Sequence, residues 1–192
     1  MIIQREQFMA MFGDPGPQAG GCYLTDVERR VLVALTRHVA PKTVIEFGVQ
    51  DGKTAACIWA AAPTIKSYVG IDLPQGAAPA LASQGTEVPA VPGEAVAGRK
   101  GFKLLLQESG TLVPADLPLA DLIFIDGGHD YATVKHDTAL AFARIRPGGV
   151  IVWHDYNAIP EIGVRQCIDE LNQTQGDRCT LVQGTWLVFR FP

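Results

Sequence analysis

Glu46-Phe47-Gly48-Val49-Gln50-Asp51-Gly52-Lys53-Thr54 sets two glycines, spaced by three residues, between a short apolar run and a helix-forming one. A glycine at 48 lets the backbone turn sharply and a ligand come close. One at 52 opens a helix whose free N–H groups and positive dipole end favour electron-rich groups. The same pattern also fits an ordinary strand-to-helix turn. Twenty residues after Gly52, Asp72 ends a second apolar stretch. An acid there either accepts both hydroxyls of a ribose or caps the next turn. A dinucleotide fingerprint needs G-x-G-x-x-G, and Gln50 stands where its second glycine belongs, which disfavours a nicotinamide cofactor.

A second constellation lies downstream. Asp121-Leu122-Ile123-Phe124-Ile125-Asp126 and Val150-Ile151-Val152-Trp153-His154-Asp155 are two apolar runs that each end in aspartate. If both are parallel strands, their carboxylates share one rim, and neighbouring strands lie about 4.8 Å apart. A divalent ion could bridge such a pair, since unpaired carboxylates this close repel. The alternative is that Asp126 and Asp155 cap the helices that follow. Two of the four histidines, His129 and His154, stand beside these acids. An imidazole at 129 could take a proton from an acceptor hydroxyl or could hydrogen-bond a loop carbonyl.

These residues need elements to position them. Thr25-Asp26-Val27-Glu28 has capping-box spacing, and Val27, Val31, Leu35 and Val39 then recur at helical spacing, which predicts a helix over 25–40. Strands are predicted over 43–47, 67–72, 102–107, 120–126 and 150–155, with helices over 54–62 and 130–145 and a last helix starting at Pro160. Two strands around one helix form a βαβ unit with parallel strands. Residues 180–183 and 185–191, joined through Gly184, predict an antiparallel hairpin. The Ala, Pro and Gly-rich stretch 74–98 predicts a long loop with one helical turn near 79–83, of the kind that serves a binding site. Residues 1–24 read as a lead-in holding a short helix over 4–12, and 25–192 as the domain.

The whole chain bounds the answer. Its 192 residues, 47% hydrophobic and 19% charged, fit one folded domain rather than a disordered chain. A net charge of −4 without a basic stripe argues against nucleic acid as a partner. No apolar run reaches the roughly 20 residues that span a bilayer, and the first residues lack a signal peptide's apolar core. A cytoplasmic protein without membrane partners is the expectation. Cys22, Cys57, Cys167 and Cys179 are scattered and fit free thiols. Trp59 and Trp186 read as core, and Trp153 as core or as a wall of the ligand pocket.

The glycine pattern E-x-G-x-x-x-G-x-T resembles the first motif of the class I S-adenosylmethionine-dependent methyltransferases in its catechol O-methyltransferase form. The run from Asp121 to Tyr131, with Pro147-Gly148-Gly149 through His154-Asp155-Tyr156, is similar to the small bacterial branch that includes macrocin-type sugar O-methyltransferases. The resemblance implies a Rossmann-like three-layer α/β sandwich, with a seven-stranded, mostly parallel sheet and a C-terminal antiparallel hairpin. It implies that Glu46, Gly48 and Gly52 line the methionine moiety of S-adenosylmethionine, that Asp72 holds the ribose, and that Glu108 and Ser109 meet the adenine. Asp126 would serve both donor and acceptor. It also implies a divalent metal, Mg²⁺ or Mn²⁺, on Asp126 and Asp155, and a base at His129.

The third metal ligand differs from the pattern, because His154 precedes the second aspartate and Asn157 follows two residues after it. Mg²⁺ would favour the oxygen of Asn157, whereas His154 as ligand would favour Mn²⁺, Fe²⁺ or Zn²⁺. His154 could instead orient Asp155 or cover the sulfonium. The expected function is methylation of an oxygen on a small-molecule substrate, in a monomer or a homo-oligomer. The alternatives are an NAD-binding Rossmann oxidoreductase and a non-catalytic S-adenosylmethionine-binding module.

Overall fold

The computed structural model describes residues 1–18, 23–176 and 178–192. Cys22 lies outside the described residues, and no disulfide joins Cys57, Cys167 and Cys179. The chain runs β1 (Ile2–Ile3), α1 (Arg5–Phe12), α2 (Asp26–Val39), β2 (Thr43–Phe47), α3 (Lys53–Ala61), β3 (Ser67–Asp72), β4 (Phe102–Leu106), β5 (Ala120–Ile125), α4 (Tyr131–Arg144), β6 (Ile145–Trp153), α5 (Val164–Gln175), β7 (Thr180–Val182) and β8 (Val188–Arg190). The strands form one sheet in the order β1-β7-β8-β6-β5-β2-β3-β4. Strands β2 to β6 are parallel, and β8 runs antiparallel to both β6 and β7. The expected α/β sandwich with its terminal hairpin is therefore present. No helix among the described residues is long and apolar enough to cross a membrane.

The sheet is buried on both faces, and alternation along the central strands sorts its residues. Val44, Leu122, Val150 and Val152 pack with Val31, Leu35, Ala55 and Ile58 from α2 and α3. Ile45, Phe47, Ile123, Ile151 and Trp153 pack with Val134, Ala141, Val164 and Ile168 from α4 and α5. Helix α2 starts where its capping box predicts: Thr25 accepts from the Glu28 amide, and the Glu28 carboxylate accepts from the Thr25 amide.

Three features depart from the sequence reading. The lead-in contributes an eighth strand, because β1 pairs in parallel with β7, and Phe8 of α1 is fully buried in the core. Strand β6 begins at Ile145, earlier than residue 150, with Ile145 opposite Ala120 and a register shift before Leu122. Helix α5 begins at Val164 rather than at Pro160. Residues 160–163 must first pass against the start of α4, where a Cβ on Gly163 would meet the Tyr131 backbone at 2.3 Å.

The chain builds β2, β3 and β4 outward in one direction and then crosses back to lay β5 and β6 on the other side of β2. A crevice opens at the carboxyl ends of the strands flanking such a switch point. Both constellations read from the sequence fall there.

Candidate active site

A cavity opens at this crevice, lined by the β2–α3 turn, the ends of β3, β4, β5 and β6, and the 74–98 segment. At its β2 end the turn is forced close. Gly48, at φ +81°, donates its amide to the Ile71 carbonyl at 2.8 Å. A Cβ there would lie 2.1 Å from the Asp126 carbonyl oxygen, so only glycine fits. Gly52, at φ +85°, caps α3, whose first amide, that of Lys53, donates to Asp51 Oδ1 at 3.1 Å. Asp72 accepts the Gln50 amide at 2.6 Å and the Leu73 amide at 2.7 Å. Burial pushes its carboxyl up against the pull of these amides.

Glu46 and Gly52 are the two expected donor-side residues that do not line the cavity. Glu46 lies on the far face of the sheet. It alternates away from Phe47, is fully buried in the α3 face of the sheet, and accepts the Tyr68 hydroxyl at 2.8 Å. Its side chain does not line the cavity, because strand alternation sends position 46 to the opposite face from 47. Gly48, Asp72, Glu108, Ser109 and Asp126 do line it, and Gly52 sits behind the turn.

Beside this turn stand Asp126, His129, His154 and Asp155. Neighbouring parallel strands β5 and β6 end together, with Ile125 opposite Trp153, and this brings the two aspartates to one rim. His154 Nδ1 lies 3.0 Å from Asp126 Oδ1 and 3.0 Å from Asp155 Oδ2. His154 Nε2 faces Glu28 Oε1 at 3.4 Å. His129 Nε2 lies 2.9 Å from Asp155 Oδ2. Asp155 holds this place in a left-handed backbone conformation, φ +60°. Such a non-glycine conformation is seldom kept unless the surroundings enforce it.

The electrostatics follow from mutual contact. Burial pushes the Asp126 carboxyl up, and the neighbouring histidines only partly offset this. Burial acts on Asp155 as well, yet its hydrogen bonds with His129 and His154 hold it well below the usual carboxylate range. Burial lowers both imidazoles, but the surrounding carboxylates outweigh it and raise them. Glu28 is held at about 2, because contacts with His154 and the Trp186 and Thr25 amides overcome its burial.

The donor set fits a metal ion. One ligand atom each from Asp126, His154 and Asp155 lie within 4.8 Å of one another. Two donors about 2.1 Å from one ion at right angles stand about 3 Å apart, which is the spacing at His154 Nδ1. Metal-bound histidines usually offer their second nitrogen to a carboxylate, the position Glu28 occupies. Asn157 does not line this cavity, and its Oδ1 accepts the Ile159 amide at 2.9 Å.

Several residues here escape the sequence reading. Gln84, from the 74–98 segment, accepts the His129 amide at 3.0 Å and donates to the Gly127 carbonyl at 3.1 Å. Trp186 is 46% exposed and lines the cavity, so it is not a core residue. Trp153 is the buried one, its Nε1 donating to Thr138 at 2.9 Å. Asp137 of α4 also lines the cavity. An acid three residues after Val134 and four before Ala141, on the apolar stripe of α4, is the signal that marks it.

Residues 45–156 match a family model described as a methyltransferase domain, and the chain belongs to that family. Its fold is the Rossmann-like fold of methyltransferases. No curated protein matches the chain. Among solved structures it is similar to the O-methyltransferase NovP, at 15% identity and TM-score 0.64, covering 97% of each chain. It is also similar to the methyltransferase PaMTH1 of Podospora anserina, at 13% identity and TM-score 0.62, covering 98% of this chain and 86% of that one. TomG, an O-methyltransferase of Streptomyces achromogenes, aligns at 16% identity and TM-score 0.59 over 97% of this chain and 87% of its own. These likenesses describe a shared fold.

Proposed function

We propose that this methyltransferase moves the methyl group of S-adenosylmethionine to a hydroxyl oxygen of a small molecule, with a divalent ion on Asp126, Asp155 and His154. The observation that carries this reading is the meeting of two sites in one cavity. The Gly48 turn and Asp72 line it, and the two aspartates with His129 line it directly beside that turn. PaMTH1 was solved with S-adenosylhomocysteine and TomG with S-adenosylmethionine, which supports the same donor here.

In this reading the Gly48 and Gly52 turn receives the methionine moiety, Asp72 the ribose hydroxyls, and Glu108 and Ser109 the adenine end. The methyl carbon forms a bond to the acceptor oxygen as its bond to sulfur breaks, and the sulfur keeps the electron pair. His129, in its neutral form, takes the acceptor's proton, and Asp155 stabilises the imidazolium that results. A bound Mn²⁺ or Mg²⁺ supplies Lewis-acid charge that lowers the acceptor hydroxyl's pKa. The imidazole in the donor set favours Mn²⁺ of the two. Holding oxygen and methyl carbon in line supplies much of the rate.

Titration calorimetry with S-adenosylhomocysteine and Mn²⁺ tests this. Donor-product binding lost in Asp72→Ala, and a metal signal lost in Asp155→Asn with product binding retained, are expected. No binding of S-adenosylhomocysteine to the wild type would overturn the reading.

A further inference from the structure

Asp137 is a buried acid on α4. It is 1% exposed, and neither carboxylate oxygen has a hydrogen-bond partner. Buried polar atoms are seldom left so, because the lost hydration is then uncompensated. Burial drives its carboxyl up to about 7, against a pull down from the Ser109 side chain and with a further push from Asp130. The side chain borders the cavity beside Gln107, Glu108, Ser109 and Thr133. Its partner is therefore to be sought in a ligand that offers a hydrogen-bond donor at this point.

The sheet order identifies which part of a ligand that is. Strands β2, β3 and β4 lie side by side, and their ends carry Gly48, Asp72 and the 107–109 turn in that order. A donor with its methionine at Gly48 and its ribose at Asp72 extends its base toward 107–109, the turn that Asp137 faces from α4. We infer that Asp137 reads the adenine base, one carboxyl oxygen accepting a hydrogen bond from the exocyclic amino group. The inference rests on the donor-binding reading above and adds a specificity-determining residue to it. A 6-oxo purine would present an acceptor to the same carboxyl oxygen. It would be rejected, as buried polar sites reject ligands that leave them unpaired.

The test compares S-adenosylhomocysteine with S-inosylhomocysteine by titration calorimetry at pH 7.5, on the wild type, Asp137→Asn and Asp137→Ala. The wild type should prefer the adenine compound by at least about tenfold. In Asp137→Asn the side-chain amide can turn to donate to a 6-oxo group, so the preference should shrink to about threefold or less in that variant, with tighter binding of the inosine compound. Asp137→Ala should also lose the preference, through weaker binding of the adenine compound. Equal affinity of the wild type for both compounds would overturn the assignment and leave the donor site standing. So would a tenfold preference retained in the folded Asp137→Asn variant, whose melting temperature is checked alongside. Failure of the wild type to bind either compound would overturn the donor site and this assignment together.

Discussion

Glu28 and His154 face each other, Oε1 to Nε2 at 3.4 Å, although 126 positions of sequence separate them. The other carboxylate oxygen of Glu28 closes the capping box of α2, accepting the Thr25 amide at 2.9 Å and hydroxyl at 2.8 Å. Oε1 also accepts the Trp186 amide at 2.8 Å. One side chain thus fixes a helix start, the turn between β7 and β8, and the orientation of an imidazole in the candidate site.

Glu28→Gln should therefore act on the metal rather than on the donor. Removing an outer carboxylate from a ligating histidine typically weakens metal binding about 10- to 100-fold. Calorimetry with Mn²⁺ should show a loss of that order while S-adenosylhomocysteine affinity stays within about twofold. Unchanged Mn²⁺ affinity would mean that His154 is not a ligand.

Asp137 makes stability depend on pH in an unusual direction. Its folded value of about 7 lies above the ordinary 3.8, so between those values the native state binds one more proton than the unfolded state. Its contribution is thus lost as pH rises through about 7, by at most about 4 kcal/mol. Asp137→Asn removes that titration. Urea unfolding should find the variant about 2 kcal/mol more stable than the wild type at pH 8 and close to it at pH 4. Parallel stability profiles for the two proteins would contradict this.

Gly48→Ala should not be tolerated. The added Cβ would sit 2.1 Å from a backbone oxygen, which cannot move without shifting the end of β5. A cost of about 3 kcal/mol or more is expected, seen as a large fall in urea midpoint or loss of folded protein. Gly148→Ala supplies the contrast. That glycine also has positive φ but meets nothing within 4 Å, so about 1 kcal/mol is expected.

Phe8→Ala tests whether the first helix belongs to the folding unit. Phe8 is fully buried, with its ring edge-on to Phe189 at 5.6 Å between centroids. Its truncation should cost about 3 kcal/mol, and the whole protein should still melt in one transition. A cost below about 0.5 kcal/mol would make residues 1–24 an appendage.

The elements that carry the chemistry were legible because local chemistry specifies them. The Thr25 and Glu28 spacing gave α2, and the two apolar runs ending at Asp126 and Asp155 gave a shared rim. What was not legible depends on contacts distant in sequence. β1 spans two residues and exists because β7 offers an open edge. Motif spacing alone put Glu46 in the pocket, whereas its place on the opposite face of β2 is fixed by its packing there with Tyr68 of β3, whose hydroxyl it accepts. Gln84 sits in a segment without periodicity, and only the folded chain brings it to His129.

The tight approach of Gly48 to the Asp126 backbone also bears on how such a protein diversifies. The turn that would seat the donor and the loop that would meet the acceptor are locked to each other, so a backbone change in either disturbs both. Drift in substrate range must then enter elsewhere, through side chains on the rim such as Trp186 and through the 74–98 segment. Lineages sharing this scaffold should vary at those positions while the central turn stays fixed in length.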